Sequence, residues 1–402
     1  MVTHGDGIFT TIYSSGIAGG RPHVTLCLLQ SLQSCVISFG TANAAEDAPF
    51  VRDVSYTPQC STPTLSKLVQ LELTFLQKAI KARASTISQE ILSPAYANYS
   101  THTNQLSRFR ATRPYYTKLV QTGILKSLIP KSAGGTCEKW MDSGLIVEEV
   151  HSIDASLSIH LVGTVLGLLP LILGGTTEQK EKFLAPFLTG KEDHLASLTH
   201  SEPGGTANHL EKGGRGLAVT ARKEGDFYIV NGEKLWTTNS AGWDGQGATL
   251  SCLVARSSED GGPEKPENTP EDNIMVLLVT RDIVAQNPPE AYAMLSEPNL
   301  MGHIAVTGPH TRYTNFRIPT DHVLFHPGQA APIIEKSFGI TGAIVGAMAA
   351  GTMRTAFELA IDFARRDNRG GTVPIIERQS VADLIIDVKV KIDSARTVLL
   401  AH

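Results

Sequence analysis

The spacing of apolar residues divides the chain into three stretches, and the first has a helical pattern. From Thr64 onward apolar residues recur at steps of three and four, which places on one helix face Leu65, Val69, Leu73, Leu76 and Ile80. The same spacing predicts further helices over Thr112–Leu128, Glu138–Val150, Ala155–Leu171 and Thr177–Leu188. We expect Asp154 to cap the helix that follows it, and Thr176 or Thr177 to cap the last one.

At Leu195 the pattern changes to that of short β-strands. The predicted strands are Leu195–Thr199, Leu217–Arg222, Phe227–Val230, Leu235–Thr238, Leu250–Ala255, Ile274–Thr280 and His310–Arg317. Gly225 and the pair Asn231-Gly232 are predicted to form hairpin turns. The acidic stretch Ser257–Asp272, which is rich in Pro and Gly, is predicted to be a solvated loop.

After Pro319 the pattern is helical again. Pro332–Arg366 is crowded with small and apolar residues, which favours a helix buried on most sides. Gln379–His402 is amphipathic, with a single apolar stripe formed by Val381, Leu384, Val388, Ile392, Ala395 and Leu399. The sequence ends on this stripe without a Gly, Asn or Pro stop signal, and two helices do not close a bundle. We therefore expect the last domain to be incomplete in this sequence.

Length and composition indicate a globular protein with more than one domain. The 402 residues exceed the size at which one hydrophobic core keeps growing, and 42% are hydrophobic and 18% charged. The order of elements predicts an α+β fold in four parts. These are an irregular or targeting extension (1–60), an N-terminal helical domain (64–192), a middle β-barrel-like domain (193–327) and a C-terminal helical domain (328–402).

Charge, cysteines and hydropathy narrow the classes of function. A net charge of −4 and the absence of a basic patch argue against a nucleic-acid partner. The five cysteines are scattered and the histidines lack clustered partners, so neither disulfides nor a metal site is predicted. The most apolar run, Leu157–Leu173, contains His160 and Gly163 and favours a buried helix over a membrane span. A reducing compartment is expected, and the cytoplasm, mitochondrion and peroxisome stay open.

Two stretches of the β-region carry polar residues that can hold a ligand. In the polar turn, Leu198–Asn208, Pro203 fixes φ and two glycines allow close approach, so hydroxyls and backbone N–H groups can grip a cofactor edge or a pyrophosphate. An ordinary β-turn is the alternative. In the tryptophan segment, Gly232–Ser240, Trp236 and the hydroxyl residues after it can wall a flat cofactor, or Trp236 can pack in the core. Neither stretch is a GxGxxG or Walker motif.

In this order, between helical blocks, the motifs resemble those of the acyl-CoA dehydrogenase superfamily, over roughly Thr64 to His402. The polar turn resembles the family's flavin-side TEPxAGSD turn, with His200-Ser201 inserted or substituted and Asn208 near the Asp. Trp236-Thr237-Thr238-Asn239 resembles its WITN strand. Arg369-Gly370-Gly371 and Glu377-Arg378-Gln379 resemble the stretch where a neighbouring subunit meets the flavin. Stretches such as Gly205-Thr206-Ala207-Asn208 resemble the nitroalkane oxidase branch most closely.

The resemblance implies FAD as the cofactor and assigns residues to it by position. The residues implied to line the flavin are Leu198, Thr199, His200 and Ser201, and those near its tail are Thr206, Ala207 and Asn208. Along the isoalloxazine it implies Trp236, Thr237 and Thr238, with Thr238 near the reactive N5 edge. Arg369 is implied to pair with a pyrophosphate, with Gln379 close by. Thr341 falls where nitroalkane oxidases have a Ser beside the catalytic carboxylate, and its extra methyl changes the shape of that pocket.

Chemistry in this family begins when a carboxylate removes a proton from the carbon next to an activating group, and the electrons pass to the flavin. That carboxylate usually lies near the C-terminus, so the resemblance implies that this sequence stops before it and leaves the catalytic residue unknown. Glu335 is the nearest substitute, but Lys336 falls at the equivalent position. Glu148 and Glu149 are predicted to face solvent. His200 and His310 are predicted to be structural.

Three functions therefore stay open from the sequence. The first is a nitroalkane-oxidase-like enzyme acting on a small nitroalkane, and the second is an acyl-CoA dehydrogenase or oxidase acting on an acyl thioester. The third is an inactive remnant that only binds FAD. The resemblance also implies a homotetramer whose flavin sites straddle subunits, in which Arg369 and Gln379 serve a neighbour's cofactor. No membrane partner is expected.

Overall fold

A computed structural model describes residues 73–214, 216–258 and 270–401 of the chain, with side chains as far as 397. The expected extension over 1–60 lies outside the described residues. Ahead of the sheet, the helices are α1 (Phe75–Leu92), α2 (Ala95–Tyr99), α3 (Gln105–Gln121), α4 (Ile124–Ser127), α5 (Trp140–Ile153), α6 (Ala155–Gly174), α7 (Thr177–Phe183) and α8 (Ala185–Leu188). Those that follow are α9 (Pro270–Asn273), α10 (Arg281–Gln286), α11 (Ala330–Arg366) and α12 (Gln379–Ala401).

The middle of the chain forms one mixed sheet. Its strands are β1 (Ala196–Thr199), β2 (Thr220–Glu224), β3 (Phe227–Lys234), β4 (Leu250–Ser257), β5 (Ile274–Thr280), β6 (Tyr292–Ser296), β7 (His310–Pro319) and β8 (Val323–Phe325). The strand order is β6-β7-β3-β2-β4-β5-β8, and β1 also pairs with β4. Helices, then this sheet, then helices confirm the expected α+β fold class, whereas the domain boundaries at 192 and 327 stay predictions.

Strands β1 and β2 lie end to end along the same edge of β4. Strand β1 pairs in parallel with Leu250–Leu253, and β2 continues in parallel beside Arg256 and Ser257. The chain between them must therefore loop out of the sheet. Strand β3 runs antiparallel to β2, so its last residues end at this same point. The topology thus brings the polar turn and the tryptophan segment together.

Helix ends follow local capping chemistry, but the start of one helix and the position of one turn differ from the prediction. The side chain of Asp154 accepts a hydrogen bond from Leu157 N at 2.9 Å, which confirms it as the cap of α6. Helix α3 begins earlier than predicted because the Asn104 side chain caps it through Ser107 N, so Pro114 lies inside the helix rather than in its first turn. Asn231-Gly232 is not a hairpin turn. It lies within β3, whose register with β7 shifts there in a bulge.

Glu148 and Glu149 are buried, so the prediction that they face solvent is wrong. Helix α5 packs against α1, α6 and α11, so it has no solvent-exposed face. Glu149 accepts a hydrogen bond from Arg354 at 2.5 Å, and Glu148 accepts one from Arg396 at 2.5 Å. Lys81 Nζ lies 3.4 Å from Glu149 Oε1. Buried carboxylates stay charged only when paired in this way, and the pairs fix α11 and α12 to the first helical block.

Helix α6 is the central helix of the first core, and fifteen of its residues are buried. By length and composition alone, α6 and α11 are apolar enough to cross a membrane, a property that buried core helices share. On α12, in contrast, Ile392 is buried while Leu384 and Val388 are exposed. Its predicted apolar stripe is therefore only partly covered within one chain.

Acidification is expected to destabilise the protein through His160, which lies fully buried among Phe109, Tyr116 and Trp243. Burial lowers the pKa of His160 to about 3. Between pH 6.5 and 3 the unfolded chain therefore binds a proton that the folded chain excludes, and the free energy of unfolding falls as pH falls. His160→Phe should lose about 2 kcal/mol less than the unchanged protein between pH 7.5 and 5 in urea titrations. The control His102→Phe changes an exposed histidine and should lose as much unfolding free energy as the unchanged protein over this pH range. Equal losses in all three proteins would contradict the assignment.

Candidate cofactor site

The polar turn and the tryptophan segment are joined by hydrogen bonds around a buried lysine. Lys234 Nζ donates to the His200 carbonyl at 2.7 Å and to Glu202 Oε1 at 3.0 Å. Leu235 N donates to the Ser201 carbonyl at 3.0 Å. Glu202 also accepts hydrogen bonds from Ala218 N at 2.6 Å and Val219 N at 3.0 Å, so its carboxylate is fully used. Glu202 therefore belongs to the turn and is not free for proton transfer.

Lys234 is fully buried, and burial lowers the pKa of its ammonium group to about 8, while the Glu202 carboxylate opposes this shift. The group is still largely protonated near neutral pH. A buried ammonium needs acceptors for its protons, and the His200 carbonyl is one of them.

The two carbonyls that point toward β3 force the adjacent amides to point away from it. In a trans peptide unit the N–H group is antiparallel to the C=O group, and every peptide bond among the described residues is trans. With the carbonyls of His200 and Ser201 turned to Lys234 and Leu235, the N–H groups of Ser201 and Glu202 face away from the strand. Neither has a hydrogen-bond partner among the described residues. Such neighbouring free amides form a site for an electron-rich group.

Trp236 is exposed rather than packed in the core, with 56% of its surface accessible. The predicted strand Leu235–Thr238 is wrong, because Trp236 and Asn239 both take left-handed conformations, with φ of 59° and 69°. The Thr237 and Ser240 hydroxyls are 2.7 Å apart and close the bend. An exposed indole held in a strained backbone fits the wall of a flat ligand better than it fits core packing.

Helix α6 fixes the position of Thr238 and Asn239. The Asn239 side chain donates to the His160 carbonyl at 2.9 Å and to Thr164 Oγ1 at 3.2 Å. A Cβ atom at Gly163 would lie only 2.8 Å from Thr238 Cγ2. Glycine at this position therefore allows Thr238 to lie directly against the helix.

Two imidazoles border the polar turn and leave polar atoms without partners. The rings of His200 and His209 are 4.5 Å apart, edge to face, and Phe338 of α11 lies 5.3 Å from His200. His209 Nδ1 lies 3.0 Å from the Thr206 carbonyl, which it reaches as a donor. The Nε2 atoms of both histidines are buried without a hydrogen bond. Together with the free amides, these atoms fit a site whose polar contacts are completed by a bound cofactor.

The structure does not bring all of the implied residues together. Leu198 and Thr199 are buried in β1, and Thr206, Ala207 and Asn208 lie at the open tip of the polar turn. Arg369 and Gln379 are exposed; Arg369 is in a left-handed conformation and its guanidinium lies over the Phe363 ring. Thr341 is buried, and its hydroxyl donates to the Ser337 carbonyl at 3.0 Å within α11.

Sequence motifs did not single out Lys234, His209 or Glu297. Glu297 accepts hydrogen bonds from Gly308 N at 2.7 Å and Thr307 Oγ1 at 2.8 Å, and its burial raises the pKa of the carboxyl. This closes a loop that packs behind Trp236, since a Cβ atom at Gly308 would lie 3.4 Å from Trp236 Cα. Lys234 does carry a signal in the sequence, because it is a charged residue at the end of a strand whose apolar residues face the core. The contacts of Glu297 carry no local signal.

Comparison with known proteins identifies the class. Residues 75–191 match the family model of the acyl-CoA dehydrogenase N-terminal domain, and residues 331–401 match that of its C-terminal domain. Short-chain specific acyl-CoA dehydrogenase of Mus musculus is 24% identical over 280 residues, covering 69% of this chain and 61% of that protein. The chain belongs to the acyl-CoA dehydrogenase family, as the motifs predicted.

Within the family, its nearer relatives are nitroalkane oxidases. The nitroalkane oxidase of Fusarium oxysporum is 47% identical over 331 residues, covering 82% of this chain and 75% of that protein. A crystal structure of nitroalkane oxidase in complex with spermine, a competitive inhibitor, superposes with a TM-score of 0.80 at 46% identity, over 82% of this chain and 77% of that one. The expected placement beside the nitroalkane oxidases is confirmed.

Gly163→Ala is expected to displace Thr238, because the added methyl would lie 2.8 Å from Thr238 Cγ2 and 3.2 Å from Asn239 Nδ2. Overpacking should cost about 1–3 kcal/mol of unfolding free energy, more than alanine gains in helix propensity. Thermal or urea unfolding measures the loss, and adding Thr238→Ser, which removes Cγ2, should recover part of it.

Gly144→Ala is the matched control, since its methyl would meet only the Ala347 side chain at 3.8 Å. It should be neutral or stabilising. A loss as large as that of Gly163→Ala would mean that the close approach to Thr238 is not what requires glycine.

Proposed function

We propose that this protein is an FAD-dependent oxidoreductase of the nitroalkane oxidase type, acting on small nitroalkanes. The observation that carries the proposal is the pair of free amides at Ser201 and Glu202 beside the exposed Trp236, in a chain 47% identical to a nitroalkane oxidase. Bound FAD supplies the electron-accepting ring, which no side chain of the chain can replace.

The residues of the chain bind and orient. The Ser201 and Glu202 amides and the two histidine Nε2 atoms offer polar contacts to the cofactor, while Trp236 covers one of its flat faces. Thr238 presents a hydroxyl from a position held by α6. Neither Glu202 nor Glu335 is assigned as the base, because Glu202 is paired with Lys234 and Glu335 is exposed on α11. Thr341, buried in the same helix, is proposed to border the substrate pocket.

The nitroalkane substrate class rests on the relatives. Active-site mutants of nitroalkane oxidase have been crystallised with 1-nitrohexane and with 1-nitrooctane. The α-carbon of a nitroalkane is acidic because the nitro group stabilises the carbanion, so proton removal by a carboxylate suits it. An acyl thioester is the weaker alternative, since the acyl-CoA dehydrogenase relative is only 24% identical.

The full chain, purified from cells supplied with riboflavin, should be yellow with a flavin spectrum, and under air it should release nitrite from the anion of nitroethane, whose α-proton is already removed. Butyryl-CoA with an artificial electron acceptor should give no turnover. Turnover of the thioester without nitrite would favour the acyl-CoA dehydrogenase alternative. A colourless preparation that stays colourless with added FAD would refute the flavoenzyme.

We further propose that the protein is a homo-oligomer, assembled through the exposed apolar side chains of α11 and α12. These are Leu359, Phe363, Leu384, Ile386, Val388 and Val390. Exposed apolar side chains on two neighbouring helices are typical of a protein interface. Arg369 lies exposed on the connection between these helices and Gln379 at the start of α12, where they can reach a neighbouring subunit's cofactor.

Leu384→Asp is therefore expected to lower the assembly state, because it places a charge in an apolar contact. Sedimentation velocity at micromolar concentration measures the change. The control Leu76→Asp alters a similarly exposed leucine on α1 and should leave the assembly state as it is. A monomeric unchanged protein would contradict the proposed oligomer.

A further inference from the structure

We propose that Lys234 is a positioning residue for the cofactor, which holds the His200–Glu202 backbone so that the Ser201 and Glu202 amides face the ligand. The inference rests on the proposed function, because the ligand it concerns is the flavin cofactor. It assigns a role to a buried ion pair that is outside the residues implied by family resemblance.

The first support is the hydrogen-bond partners of Lys234. The ammonium group of Lys234 donates to two acceptors, the Glu202 carboxylate and the His200 carbonyl. The shorter hydrogen bond, at 2.7 Å, goes to the carbonyl, which lies outside any strand. A hydrogen bond from a charged donor is about twice as strong as a neutral one, so it dominates the orientation of that peptide unit.

The second support is the burial of the pair. Lys234 has 0% and Glu202 3% of its surface exposed. Bulk solvent does not reach the ammonium group at such a site, which strengthens its hydrogen bond to the carbonyl. Replacing the two charges by neutral groups of similar volume is often tolerated for stability. Stability alone therefore does not account for a charged pair at this position, whereas orienting the peptide units of the turn requires it.

The third support is the location of the pair at the junction of the two segments. Leu235, which follows Lys234, donates to the next carbonyl of the turn, that of Ser201. Trp236 comes directly after Leu235. The same short stretch of β3 therefore turns two successive amides outward and places the indole beside them.

The test compares three variants of the full chain for FAD affinity, for the circular dichroism of the bound flavin and for melting temperature without FAD. Lys234→Met removes the carbonyl contact but strands the Glu202 charge, so it should also lower the melting temperature. Lys234→Met with Glu202→Gln removes the stranded charge. Its melting temperature should return toward that of the unchanged protein, whereas FAD should still bind about tenfold more weakly or worse, with an altered flavin dichroism.

Glu202→Gln alone separates the carbonyl contact from the ion pair. The substitution keeps the Glu202 backbone amide and the hydrogen bond from Lys234 to the His200 carbonyl, so FAD affinity should fall less than in either Lys234 variant. Arg312→Met is the matched control, because it breaks the neighbouring but exposed ion pair with Glu233. It should change neither affinity nor dichroism.

The outcomes are distinct. If the unchanged protein binds no FAD, the proposed function fails and this inference fails with it. If the unchanged protein binds FAD and the double variant binds it equally well with the same dichroism, only the role of Lys234 is overturned. A loss in Glu202→Gln as large as that in Lys234→Met would also overturn it, since the carbonyl contact would then not be the deciding interaction.

Discussion

The close approach of helix α6 to the sheet is the constraint on which the rest of the structure depends. Gly163 and Gly167 are one turn apart on the same helix face. A Cβ atom at Gly167 would lie 2.3 Å from Ser197 N in β1, and one at Gly163 would meet Thr238. One helix face therefore fixes how closely two parts of the site approach α6. These parts are β1, which leads into the polar turn, and the residues that follow Trp236. Both halves of the candidate site are positioned against a single rigid element, as a precise ligand site requires.

Two buried charge systems in the part of the chain that the structure describes act differently. Around Glu148 and Glu149, three cations from other helices converge, so the pairs connect elements far apart in sequence. Around Lys234 the charges are matched one to one, and the remaining contacts go to backbone groups. The first system fixes helices to each other, whereas the second fixes the direction of peptide units. Removing one partner is costly in both, because the other charge is left without water.

Sequence patterns predicted the order of the elements and the cap at Asp154, because these depend on residues close together in the chain. They failed where tertiary contacts override local preference. Glu148 and Glu149 read as solvent-facing because nothing near them in sequence shows the arginines of α11 and α12. Trp236 and Asn239 read as a strand, since left-handed backbone at residues other than glycine is held by distant contacts such as that of Asn239 with His160. Asn231-Gly232 has the composition of a turn, yet β7 pairs on both sides of it.

The exposure of Trp236 has an optical consequence. Of the three tryptophans, all within the described part of the chain, Trp243 is buried and stacked on Phe109, Trp140 is partly buried, and only Trp236 has most of its indole open to solvent. Emission from Trp236 lies at the red edge of the protein's fluorescence, and a flat chromophore placed against it quenches that component first. The protein thus carries an intrinsic probe at its candidate site, one that distinguishes filling of the site from general changes in folding.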